Sequence, residues 1–148
     1  VFSIHAELQA LTAKLQAEDI PYALCGALAL AVHGYPRATM DIDLLALAGS
    51  TEQILASARL LGFTLEASPM AFAAGKVQIR RLSKVIPGFE DVLMLDVLSL
   101  PAEIESAIPV EIVDWQGAFL RTVSREGLVR LKTLRGSAQD LADIEKLR

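Results

Sequence analysis

Asp41 and Asp43 are separated only by Ile42, within the alternating run Met40-Asp41-Ile42-Asp43-Leu44. On a strand that spacing puts both carboxylates on one face and Ile42 on the other. Like charges held so close raise each other's affinity for protons, and a divalent cation removes the conflict by taking an oxygen from each. A third acid, Asp96, stands in Val92-Leu93-Met94-Leu95-Asp96-Val97-Leu98. A carboxylate buried among such neighbours costs on the order of several kcal/mol unless a cation or hydrogen bonds compensate. Asp41, Asp43 and Asp96 are therefore the expected metal ligands and the expected catalytic acids, whereas Asp91 lies at the polar entrance of its run.

Gly26 supplies a complementary feature. It follows a short apolar run, Tyr22-Ala23-Leu24-Cys25, and opens a small-residue helical stretch beginning at Ala27. A glycine lets an anion approach closely, and free backbone N–H groups at a helix start attract it. An anion cradle at Gly26 and Ala27 would then lie just before the acidic pair.

The elements that position these residues follow from periodicity. Ile4, Leu8, Leu11 and Leu15 recur at helical spacing over 3–17. A strand over 22–25, a helix over 27–33 ending at Gly34, and a strand over 40–47 come next, with Pro36 and Arg37 in the connection. Ser50 or Thr51 is placed to cap a helix over 52–61 that Gly62 stops. Strands over 76–82 and 92–98 are joined through Pro87 and Gly88 as a hairpin. Pro101 permits a short helix, and 110–113 and 119–123 read as extended around Gln116 and Gly117. Ser124 and Ser137 begin two terminal helices separated by Gly136. The order predicts one α+β domain over 1–148, a mixed sheet with helices packed on it and two helices at the C-terminus.

Composition narrows the function classes. The 148 residues are 53% hydrophobic and 22% charged, in the range of one globular domain with a substantial core. A net charge of −4 gives no general electrostatic grip on nucleic acid. Cys25 is the single cysteine, which excludes an intrachain disulfide and a multi-cysteine zinc site and fits a reducing cytoplasm. The most apolar stretch, 22–32, is too short to span a bilayer, and no signal peptide is expected.

The stretch from Cys25 to Asp43, with glycine, a short helix and then two aspartates one residue apart, resembles the signature of the nucleotidyltransferase superfamily of the DNA polymerase beta type. His33-Gly34, Pro36-Arg37, Thr39 and Asp41-Ile42-Asp43 are most similar to the AbiEii-type abortive-infection nucleotidyltransferases and their bacterial relatives. The resemblance continues at Asp96, at Glu126–Lys132 and at Gln139–Ile144. It implies attack of an acceptor hydroxyl on the α-phosphate of a nucleoside triphosphate, with release of pyrophosphate. It also implies two magnesium ions, or manganese in their place, roughly 3.5–4 Å apart. Asp41 and Asp43 would hold both ions, and Asp96 would bind one and assist deprotonation. Arg37 and Lys132 would neutralise triphosphate charge, and Thr39 would be a polar contact near the metals. The family usually has glycine or serine where this chain has Ala27, so a hydroxyl for the terminal phosphate is absent.

The acceptor implied is a transfer RNA, a protein or a small molecule. A toxin-antitoxin or phage-defence setting, with an antitoxin partner, follows from the resemblance alone, and a homodimer would supply acceptor-binding surface. The rival reading is a module of the same fold that binds nucleotide or a partner protein without turnover. Transfer to a small cationic drug is the remaining enzymatic alternative.

Overall fold

Ser3 caps helix α1 (Ile4–Ala17), its hydroxyl accepting from the Ala6 amide at 3.3 Å. Leu8, Leu11 and Leu15 lie on its buried side. This computed structural model describes residues 2–148. Strand β1 (Tyr22–Cys25) runs directly into α2 (Gly26–Val32), and β2 (Asp41–Ala46) follows. The chain continues through α3 (Thr51–Leu60), β3 (Leu65–Glu66), β4 (Met70–Phe72), β5 (Val77–Val85), β6 (Val92–Ser99) and α4 (Ala102–Glu105). The hairpin of β7 (Val110–Trp115) and β8 (Ala118–Val123) leads to α5 (Arg125–Arg135) and α6 (Ala138–Leu147).

The strands make one mixed sheet in the order β3-β5-β6-β2-β1-β8-β7, with β4 also on β5. β2 is central: antiparallel to β1 and parallel to β6. Its alternation has a direct consequence. Ile42 and Leu44 are fully buried in the core with Ile54, Leu55, Leu95 and Val97, so Asp41 and Asp43 are forced to the opposite face. α1 and α3 pack together and α3 packs on β6, whereas α2 packs on β1, β2 and α5, and α5 carries α6.

The α+β class, the central strands and the two capped terminal helices agree with the sequence pattern. Ser124 and Ser137 both accept capping bonds, the latter within a reciprocal pair with Asp140. Three details differ. Ser50 precedes α3 but does not cap it, because its hydroxyl donates to the Pro21 carbonyl at 2.6 Å. The strand expected over 76–82 continues to Val85. The short strands β3 and β4 were not expected, being two and three residues long and mostly exposed, which leaves no periodic signal. No helix among the described residues is long and apolar enough to cross a membrane.

Candidate functional site

The parallel pairing of β2 and β6 sets Asp43 opposite Asp96, with Asp41 two residues along the same face. Three acids from two separate stretches thus converge on one sheet surface. Removal from solvent, then the charges of Asp96 and Asp41, push the Asp43 carboxyl up to about 7. Asp41 is also raised, first by burial and then by Asp96, with Arg81 opposing. Among the described residues neither the Asp41 nor the Asp43 carboxylate has a hydrogen-bonded cation.

Asp96 is different. Arg81 on β5 donates to both of its oxygens, from Nε at 2.7 Å and from Nη2 at 2.9 Å. This residue was not among those expected, yet a signal for it exists. The hairpin sets Val85 opposite Val92, and counting four residues along each strand brings Arg81 opposite Asp96.

The expected phosphate-side cations behave unequally. Lys132 is buried on α5, with Nζ 2.9 Å from Asp143 and 3.8 Å from Asp140 of α6. Arg135, also not expected, makes a two-pronged pair with Asp140 at 2.7 and 2.8 Å. These bonds, with those from Ser137, outweigh burial and hold Asp140 well below the usual carboxylate range. Asp143 is lowered too: burial acts against ionisation, but hydrogen bonds from Lys132 and Gln139 prevail. Arg37 has only long contacts to Asp143, 3.4 Å to each oxygen, and its side chain is 36% exposed. It is the least committed cation of the group.

One cavity of about 220 Å³ gathers the three strand acids and the cations, while Asp143 lies outside its lining. Its lining includes Gly26, Ala27, Arg37, Thr39, Asp41, Asp43, Asp96 and Lys132, which are all the residues singled out from the sequence. Arg81, Arg135 and Asp140 join them, with an apolar wall of Phe72, Val77, Ile79, Leu98, Leu128 and Leu131.

No family model matches the chain, and no curated protein sequence does. Solved structures do. A candidate nucleotidyltransferase from Thermotoga maritima superposes with a TM-score of 0.67 at 14% identity, over 97% of this chain and 91% of its own. An antigenic nucleotidyltransferase-like protein from Paracoccidioides brasiliensis gives 0.57 at 20% identity, covering 96% and 73% respectively. ANT(2″)-Ia, solved in complex with adenylyl-2″-tobramycin, gives 0.63 at 12% identity, covering 96% and 86%. The chain has the nucleotidyltransferase fold. Identities this low establish the architecture and leave the activity to be argued from the site.

Within the nucleotidyltransferase fold of this chain, Gly26 has a specific steric role. Its φ is +69°, a left-handed conformation, and a Cβ added there would overlap the Asp43 carboxylate. The glycine is thus required by Asp43, whatever it also does for an anion. Ala27 is buried, and the Cys25 side chain makes no capping bond to α2. Burial pushes the Cys25 thiol well up, which keeps it protonated. The Thr39 hydroxyl accepts from the Asp41 amide at 3.1 Å and so fixes the entry to β2.

The acids meet only part of what a metal site needs. Asp41 and Asp43 offer hard oxygen donors with uncompensated charge, the chemistry a magnesium-like cation satisfies. Although the three acids share one sheet surface, among the described residues no three of His, Cys, Asp and Glu are placed to hold a metal ion as they stand. Both Asp96 oxygens are committed to Arg81.

Proposed function

We propose that this chain is a metal-dependent nucleotidyltransferase, moving a nucleoside monophosphate from a nucleoside triphosphate to an acceptor hydroxyl. The observation that carries the reading is the register of Asp43 beside Asp96, with Asp41 on the same face, at the floor of a cavity edged by cations. In the reaction the acceptor oxygen bonds to the α-phosphorus, the bond from that phosphorus to the bridging oxygen breaks, and pyrophosphate departs. Asp41 and Asp43 would hold magnesium, or manganese in its place, with Asp96 as the third ligand. Bound there, two such ions would lower the charge barrier to attack and stabilise the leaving pyrophosphate. Asp96 accepts the proton of the acceptor hydroxyl, and Arg37 meets the triphosphate as the cation freest to move. Lys132 acts by holding α6 against α5 at the cavity edge.

Purified chain with magnesium and an α-labelled nucleoside triphosphate should transfer label to an acceptor. Asp41→Asn with Asp43→Asn should abolish the transfer, and persistence of labelling in that double variant would remove the mechanism.

The acceptor of this reading is a transfer RNA, a protein or a small molecule. A small cationic acceptor suits the net charge of −4. The AbiEii-type resemblance extends the proposal to the toxin half of a defence pair with an antitoxin partner, and to a homodimer. Growth arrest on expression, relieved by Asp41→Asn, checks the first, and light scattering checks the second. One observation favours the alternative of a binding module: Arg81 already occupies Asp96. Nucleotide binding in a calorimeter without turnover across a broad acceptor screen would select that reading.

A further inference from the structure

The Arg81–Asp96 pair is unlike the other two-pronged pair in the cavity. Arg135 is tied to a carboxylate that Ser137 also anchors, and Asp140 is fully buried. Arg81 and Arg135 each have one hydrogen-bonded partner among the described residues and are part-exposed, 33% and 50%, so the difference lies in the carboxylate: Asp96 accepts no hydrogen bond other than those from Arg81 and stands opposite Asp43. Its neighbour Arg80 alternates to the other face, where Glu52 and Glu66 hold it. A guanidinium in the cavity wall whose carboxylate has no other anchor and borders a second acid can leave it without unfolding its strand.

We infer that Arg81 has two positions in the working cycle: on Asp96 in the ligand-free chain, and on the triphosphate once a divalent cation has taken Asp96. The inference rests on the cation reading given above and adds a coupling to it. In the ligand-free chain Arg81 is an internal competitor for the third carboxylate, so a cation alone binds weakly. Triphosphate offers the displaced guanidinium a new two-pronged partner of the same geometry, so cation and nucleotide favour each other's binding. A planar fork is needed for both positions, and lysine provides a point charge in its place.

The test measures Mn2+ binding by electron paramagnetic resonance, with and without a nonhydrolysable nucleoside triphosphate, for the wild-type chain, R81K and R81Q. Without nucleotide, R81Q should bind Mn2+ about tenfold tighter than wild type and R81K about threefold tighter. In saturating Mn2+, triphosphate affinity should fall about tenfold in R81Q. Movement of the two affinities in opposite directions is the signature, since general loosening of the site would weaken both. R81K keeps a positive charge beside Asp96, so it protects the fold and separates the fork from simple charge. Mn2+ affinity in R81K equal to wild type would reduce Arg81 to a through-space charge and overturn the inference, as would unchanged or weaker Mn2+ binding in R81Q. Absence of Mn2+ binding to the wild-type chain even with triphosphate would instead overturn the cation reading, and this inference with it.

Discussion

Two groups of aspartates stand at and behind one cavity wall, Asp41, Asp43, Asp96 and Asp140 lining it and Asp143 paired to its Lys132, and they are treated in opposite ways. Asp140 and Asp143 on α6 are almost wholly inaccessible, yet both stay ionised because Arg135, Lys132, Gln139 and Ser137 saturate them. Asp43 on β2 rises to about 7, first because it is removed from solvent and then because its near neighbours are two more acids, with no hydrogen-bonded cation among the described residues to offset either. Burial raises the carboxyl in all three, and only the hydrogen-bond partners reverse it. The partner set therefore separates a group whose charges serve the architecture from one left unsatisfied for a ligand.

The sharpest way to break this contrast is to remove a partner from the satisfied group. Lys132→Met should cost about 3–5 kcal/mol in urea unfolding, since it strands Asp143 with only Gln139 and a distant Arg37. Adding Asp143→Asn should restore part of the loss. A Lys132→Met variant of unchanged stability but weakened nucleotide binding would return Lys132 to the phosphate role.

Gly26→Ala should be next in size. A left-handed alanine whose Cβ overlaps the Asp43 carboxylate should cost about 3 kcal/mol in the same measurement. Truncating Asp43 to alanine should reduce that penalty, and a strictly additive pair of substitutions would deny the contact its importance.

Asp43→Asn should have the opposite sign. The folded chain keeps a proton on Asp43 between the ordinary aspartate range, about 4, and about 7, whereas the unfolded chain does not. Stability is therefore lost as pH rises through that window and is level above it. In the absence of divalent cation the variant should match wild type near pH 4 and gain on it by up to about 1.4 kcal/mol per pH unit across that window. Added magnesium should reverse the order. For Asp140 and Asp143, whose values are lowered, stability is present above about pH 4 and is lost as pH falls below it.

The smallest effect on stability belongs to Arg37→Ala. With contacts of only 3.4 Å and a partly exposed side chain, it should change unfolding by less than about 0.5 kcal/mol. Triphosphate affinity should nonetheless fall about tenfold in a titration.

The two groups also differed in how far they could be read from the sequence. The strand acids were legible because alternation fixes the face of Asp41 and Asp43, and because Asp96 interrupts an apolar run. Arg81 was legible in principle, through the hairpin count from Val85 and Val92, but no single-residue feature marks it. The partners of Lys132 were not legible. They depend on how α6 docks against α5, and Lys132, Asp140 and Asp143 each resemble an ordinary solvated helix position when read along the chain. Phe72 was hidden for another reason, since its strand is three residues long and gains its place only by pairing with β5.

The central claim is that the strand face bearing Asp41, Asp43 and Asp96 is built for divalent cations beside a triphosphate. Its most direct test is a crystal of the full chain soaked with Mn2+ and a nonhydrolysable nucleoside triphosphate, read by anomalous scattering. The account predicts manganese bridging Asp41 and Asp43, bonded to Asp96, with the phosphates at the Arg37 side of the cavity. Manganese absent from that face while the triphosphate is bound, or Asp96 still held by Arg81 with the ligands in place, would contradict it.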